Sequence, residues 1–217
     1  MKHATLLTLA CAFYAAAGEA NHLTKEEEKE GYLLLFNGRN LDGWDGDPAL
    51  WTVQDGVLVG SSDGHPVKVN TFLIYRKPFA NFLLKADVKL RNHNSGIQFR
   101  SVRLPGPGWM VSGYQADFSE AGERSAWGNF YEERGRGRGV MDRPDRGWLT
   151  GQKVYRRDGW NSYEILAEGA RIRLKLNGVD TVDASDSKAP AGIIAIQLHA
   201  GEAMRVEVRN VKLKPRP

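Results

Sequence analysis

Three short segments carry the residues that could do chemistry. NSGIQFR (94–100), GYQADF (113–118) and AIQLH (195–199) each alternate apolar and polar side chains, the two-residue period of a half-buried β-strand. Ile97 and Phe99, then Tyr114, Ala116 and Phe118, then Ile196 and Leu198 form the apolar sides. The opposite sides carry Gln98 with Arg100, Gln115 with Asp117, and Gln197 with His199. The strand period puts each pair on one side of its own strand. If the strands are neighbours, the pairs form one polar patch on a rigid sheet. Amides, a guanidinium, a carboxylate and an imidazole supply directional donors and acceptors, which suit a polyhydroxylated ligand. A wet outer sheet face would carry the same residues.

A fourth segment, WGNFYEER (127–134), sets Glu132 and Glu133 beside Trp127 and Tyr131. Paired carboxylates next to an aromatic can do acid–base work or hold a divalent cation through oxygen. They also occur at an exposed strand end with local charge pairing. The following RGRGRG run (134–139) reads either as a basic loop for an anionic partner or as a solvated, flexible one. The chain has no HExxH, GxSxG, P-loop or EF-hand pattern.

The elements that must position these residues are mostly strands. Thr24 and Glu27 make a capping box, and Gly31 ends the short helix that follows. From Tyr32 onward the pattern is strand after strand: YLLLF (32–36), WTVQDGVLVG (51–60), TFLIY (71–75), FLLKADVKL (82–90), RIRLKLNGVDTVDAS (171–185), GIIAIQLH (192–199) and MRVEVRNVKLK (204–214). Asn177-Gly178 predicts a type I′ hairpin turn. In the last strand Val206 and Val208 are out of phase with Val211 and Leu213, which predicts a bulge near Asn210. No helix is expected after Gly31. Residues 101–113 and 132–153 read as long loops. The fold class is all-β, an antiparallel sandwich or barrel, with one short N-terminal helix.

The first 20 residues differ from the rest. Lys2, the apolar stretch Ala4 to Ala17 and the small Gly18 and Ala20 have the three-part form of a secretory signal peptide, with cleavage expected near Ala20. Thr8-Leu9-Ala10-Cys11 is a poor lipid-attachment site, so lipid anchoring is the weaker reading. The single cysteine, Cys11, lies in that leader, so residues 21–217 form one cysteine-free domain. Export to a periplasm or cell exterior follows, without stable membrane insertion. A nucleic-acid partner is not expected: RGRGRG lacks interleaved aromatics, and an exported protein would not meet one.

Taken in order, LLFNGRNLDGW (34–44), WTVQDGVL (51–58), NSGIQFRS (94–101), GYQADF, WGNFYEER, DGWNSYEILAEGARIRLKLNG (158–178) and GIIAIQLHAG (192–201) resemble the 3-keto-disaccharide hydrolase family. The resemblance implies a concanavalin-like β-sandwich or jelly roll, export, and glycosides oxidised to a ketone at C3 of the sugar. A C3 ketone acidifies the C2 proton. A modest base can remove it, the enolate can expel the C1 substituent, and water can add to the product. On that chemistry His199 and Asp117 are candidate bases. Arg100 or a bound divalent cation (Ca, Mg or Mn) would stabilise the enolate, and no nicotinamide or flavin is expected. Gln98, Gln115 and Gln197 would orient hydroxyls. Trp127 or Tyr131 would pack on the sugar, and Glu132 or Glu133 would be a second base. Asp117, Glu132 and Glu133 are the candidate cation ligands. The alternatives are a non-catalytic carbohydrate-binding module on the same fold and a structural or adhesion domain.

Overall fold

The computed structural model describes residues 20–106, 108–120, 126–140 and 145–217. The expected signal peptide falls on residues that, except for Ala20, lie outside the described ones. In chain order the elements are α1 (Lys25–Lys29), β1 (Leu33–Leu34), β2 (Trp44–Asp45), β3 (Trp51–Gln54), β4 (Val57–Ser61), β5 (Thr71–Phe79), β6 (Phe82–Arg91), β7 (Asn94–Arg103), β8 (Val111–Ser119), β9 (Asn129–Glu133), α2 (Asp145–Val154), β10 (Asn161–Glu168), β11 (Arg171–Leu176), β12 (Val179–Ser185), β13 (Gly192–Leu198) and β14 (Arg205–Pro215). One sheet runs β12-β11-β10-β6-β14-β4-β3, with β1 added beside β14. The other runs β2-β5-β13-β7-β8-β9. Every pairing is antiparallel, and the whole is an all-β jelly-roll sandwich.

Alternation in the sequence builds the core. Phe82, Leu84, Ala86, Val88 and Leu90 of β6 all point inward and are buried. They meet Ile97, Phe99, Tyr114, Ala116, Phe118, Phe130, Ile194, Ile196 and Leu198 of the second sheet in one cluster. Fully burying each Leu, Ile, Val or Phe contributes on the order of 1.5–3 kcal/mol. Asp55-Gly56 and Asn177-Gly178 both take positive φ at two successive residues, the backbone of the type I′ turn. The phase change in β14 is a bulge: register shifts between Arg209 and Lys212, with Asn210 at φ 55°. The capping box at Thr24 and Glu27 is formed, and only Leu33–Leu34 of the predicted YLLLF strand pairs.

One expectation fails. The supposed loop at 132–153 contains the ten-residue helix α2, so the chain does have a helix after Gly31. Glycine disfavours helix interiors, and α2 carries two, Gly147 and Gly151. Here they serve packing. A Cβ on Gly151 would lie 1.7 Å from the Trp127 carbonyl oxygen, and one on Gly147 would lie 2.8 Å from that of Gly128. The helix therefore docks its backbone directly on the turn that leads into β9.

Candidate functional site

Strands β13, β7, β8 and β9 are buried on both faces, because a second layer of side chains sits behind the core. Register places Ala195 opposite Gln98, Gln98 opposite Gln115, and Gln115 opposite Tyr131, one row across the concave face. The neighbouring positions Asp117 and Gln197 share that face, and both are almost fully buried. Two of the three predicted pairs, Gln115 with Asp117 and Gln197 with His199, line a cleft of about 330 Å³.

Arg100 does not join them. The register of β7 shifts between Phe99 and Val102, and Arg100 takes φ 46°. The bulge turns its side chain away and brings Ser101 to the Gln98 side instead. Arg100 is buried, donating to the carbonyls of Ala80 (2.7 Å), Gly169 (2.7 Å) and Ala189 (3.3 Å) and to Asn81 Oδ1 (3.1 Å). It ties three loops together and faces no ligand space. Glu132 is displaced by strand period. Tyr131 and Glu133 face the cleft, so Glu132 points to the other side of β9, where Lys188 (2.5 Å) and Arg136 hold it. Burial would raise its carboxyl, but those cations outweigh burial and lower it. Trp127 is buried in the core, stacked on Phe118, Tyr155 and Tyr163, and cannot pack on a sugar. The proposed ligand trio of Asp117, Glu132 and Glu133 therefore does not converge. Among the described residues no three His, Cys, Asp or Glu side chains are grouped to hold a metal ion.

Asp117 is held by a directed chain of amides. Ser101 Oγ donates to Gln98 Oε1 (2.7 Å), Gln98 Nε2 to Gln115 Oε1 (2.5 Å), and Gln115 Nε2 to Asp117 Oδ1 (2.9 Å). Asn94 Nδ2 adds a second donor to the same oxygen (3.2 Å). Among the described residues Oδ2 takes no hydrogen bond, and Asp117 lines the cleft. Gln98 thus lies one layer behind, as a positioning group. Gly96 makes the arrangement possible, because a Cβ there would sit 2.3 Å from the Gln115 side chain. Burial raises the Asp117 carboxyl from 3.8 to about 6, against the lowering effect of the Asn94 and Gln115 bonds.

Glu133 is also set among neutral amides, accepting from Asn70 Nδ2 (3.1 Å) and Gln197 Nε2 (3.2 Å). Asn70 Oδ1 accepts from the Ala200 N–H (2.9 Å), which fixes the chain next to His199. Gln197 Oε1 is a buried acceptor with no partner among the described residues, as expected of a group that waits for a ligand hydroxyl. His199 and His93 stack with ring centroids 4.4 Å apart. His199 Nδ1 lies 2.7 Å from the Ala200 carbonyl, which only accepts, so Nδ1 carries the proton and Nε2 is the free position. Burial, and then the charge of His199, lower the His93 imidazole. Burial, followed by the charges of Glu133 and Asp117, raises the Tyr131 hydroxyl.

Sequence reasoning missed His93, Asn94, Asn70, Ser119 and Arg138, which also line the cleft. Asn94 was visible, since it shares the phase of Gln98. His93 was hidden in the Asn92-His93 hairpin turn, where both residues take φ 61°. Arg138 came from the RGRGRG run, whose arginines divide their work. Arg136 is locked between Glu132 and Asp186, whereas Arg138 faces the cleft and its charge acts on Asp117.

The jelly roll thus presents a cleft of carboxylates, amides and imidazoles, a lining suited to a polyhydroxylated ligand. The chain belongs to the 3-keto-α-glucoside-1,2-lyase-like domain family, whose profile matches residues 31–214. It is 32% identical over 90 residues to a 3-keto-disaccharide hydrolase of Bacteroides thetaiotaomicron, a match covering 37% of this chain and 31% of that protein. A structure from Parabacteroides distasonis ATCC 8503, described provisionally as a glycosyl hydrolase, superposes with TM-score 0.68 at 26% identity, over 92% of this chain and 100% of that one. A Bacillus subtilis protein of unknown function with a galectin-like fold superposes with TM-score 0.55 at 13% identity, over 81% and 91% of the two chains.

Proposed function

We propose that the protein cleaves 3-keto-glycosides by elimination at C2, followed by addition of water. The observation that carries this reading is Asp117: a buried carboxylate lining the cleft, with one oxygen fixed by an amide chain. Asp117 takes the C2 proton, and the C2–H electrons form the enolate at C3. Arg138 faces the negative charge that develops, the role first assigned to Arg100. The enolate collapses to a C1=C2 bond with the C3 ketone restored, and the C1–O bond breaks. A water held at His199 Nε2 gives a proton to the departing oxygen, and the hydroxide left adds at C1 while Asp117 returns its proton to C2. The net change is hydrolysis, and no step needs an oxidant. Gln197, Gln115, Asn94 and Tyr131 orient the sugar hydroxyls. The leader-like first 20 residues support export, and none of the described helices is long and apolar enough to cross a membrane.

The test is aglycone release from a panel of 3-keto-glycosides. Turnover that is lost in Asp117→Asn and reduced in His199→Ala supports the reading. Failure to turn over any member, with measurable binding of plain sugars, would establish a carbohydrate-binding module instead.

A further inference from the structure

A second cavity, of about 630 Å³, adjoins the polar cleft. Asn70 lines both. Each cavity has a size typical of small-molecule sites, about 300–1,000 Å³. Their chemistry differs sharply. The polar cleft has almost no aliphatic lining, whereas the second cavity is walled by Leu50, Pro66, Val67, Val69, Trp109 and Met110. Its polar side chains are few: Asp47, His65, Asn70 and Thr71. Asp47 Oδ1 accepts from the Ala49 N–H (2.9 Å). His65 Nδ1 lies 3.3 Å from the Asp63 carbonyl. Asn70 is committed at both ends, to Glu133 and to Ala200.

The aromatic wall is built in advance. Trp109 Nε1 donates to Asp45 Oδ1 (3.0 Å), and Arg103 holds the other Asp45 oxygen (2.7 Å). The Trp109 carbonyl accepts from the Phe72 N–H (2.9 Å), which docks the β7–β8 loop on β5. Trp109 packs against Phe72, Ile74, Val111 and Ala195, the apolar half of the same concave face. Val69 is 51% exposed, an apolar side chain left open to whatever enters.

On the reading that the polar cleft holds the keto-sugar ring, we propose that this second cavity is the subsite for the group leaving from C1, and that it takes an aromatic aglycone. A second sugar ring would bring hydroxyls to walls that are mostly aliphatic and aromatic, and each unmatched one would lose its hydration. An aryl ring needs only apolar area and a fixed indole.

The experiment is calorimetric titration of the full chain with 4-nitrophenyl β-glucoside, methyl β-glucoside and cellobiose, repeated on Trp109→Ala and Val69→Arg. The expected result is at least about tenfold tighter binding of the aryl glycoside than of either other probe, the equivalent of about 1.4 kcal/mol, with the preference removed by both substitutions. Val69 is exposed, so its replacement leaves the fold intact if Trp109→Ala does not. Binding of cellobiose equal to or tighter than the aryl glycoside, a preference that survives both variants, or no detectable aryl binding at millimolar concentration would each overturn the proposal. An aryl preference without turnover of the 3-keto aryl glycoside would sink the cleavage reading and leave this subsite standing. Turnover without the preference would do the reverse.

Discussion

The two sheets treat charge in opposite ways. On the outer face of the larger sheet, ions meet counter-ions in water: Arg171 with Asp183, Arg173 with Asp180, Lys214 with Glu30. On the concave face of the smaller sheet, Asp117 and Glu133 are buried and, among the described residues, take side-chain hydrogen bonds from neutral amides alone, with the Arg138 charge acting on Asp117 from the cleft. The first arrangement is cheap and nearly interchangeable. The second holds a carboxylate where its charge is costly, which keeps it basic enough to take a proton. The neighbours Glu132 and Glu133 show the same division within one strand. One is neutralised by Lys188 and Arg136, and the other is left open to the cleft.

The largest effect expected is at Asp117. Replacement by Asn should lower kcat by about 10²–10⁴, the usual contribution of a general base, with circular dichroism unchanged. In the parent protein the rate should rise with pH through about 6, as Asp117 ionises. Stability should move the other way. Below pH 3.8 both folded and unfolded forms hold the proton, so burial of Asp117 costs nothing. Between 3.8 and about 6 the unfolded chain releases it first, and the fold loses stability. Above about 6 that loss is complete. Asp117→Asn should therefore be more stable than the parent at pH 7, by on the order of 1–3 kcal/mol in urea unfolding, and the gain should vanish near pH 3. A variant that is less stable at pH 7 would break the contrast between the faces.

Next comes Arg100→Gln, which strips donors from three loop carbonyls. It should cost about 3 kcal/mol in thermal unfolding while leaving the activity per folded molecule unchanged. Arg138→Gln should do the converse: a loss of about tenfold to hundredfold in kcat/KM, at or below the low end for an anion-stabilising donor because the side chain is exposed, with melting unchanged. The smallest effect should come from Arg173→Gln on the outer face, within about 0.5 kcal/mol and silent in the rate assay. If Arg173 and Arg138 proved equal in the rate assay, the two faces would not be functionally distinct.

Alternation made the sandwich legible: the inward residues of FLLKADVKL, the type I′ turn at Asn177-Gly178 and the bulge near Asn210 all follow from local chemistry. It also placed Gln115 with Asp117 and Gln197 with His199 on one face. It failed where a single residue breaks the period. The bulge in β7 removes Arg100 from the face on which strict alternation puts it, and nothing in NSGIQFR signals that. Helix α2 was hidden because Gly147 and Gly151 serve a backbone contact with a turn distant in sequence. Trp127 read as a sugar platform because aromatics serve cores and ligands alike, and only the fold decides between them.

The Asn92-His93 turn bears on any effort to harden this protein. His93 occupies a left-handed backbone conformation that costs a residue with a side chain on the order of 1–2 kcal/mol and glycine almost nothing. A selection for heat resistance alone will therefore drift toward His93→Gly. Such a survivor would refold well and melt late, yet it would have lost the ring that stacks on His199. Thermal screening of this scaffold should carry a turnover assay alongside it, because at this position durability and chemistry pull in opposite directions.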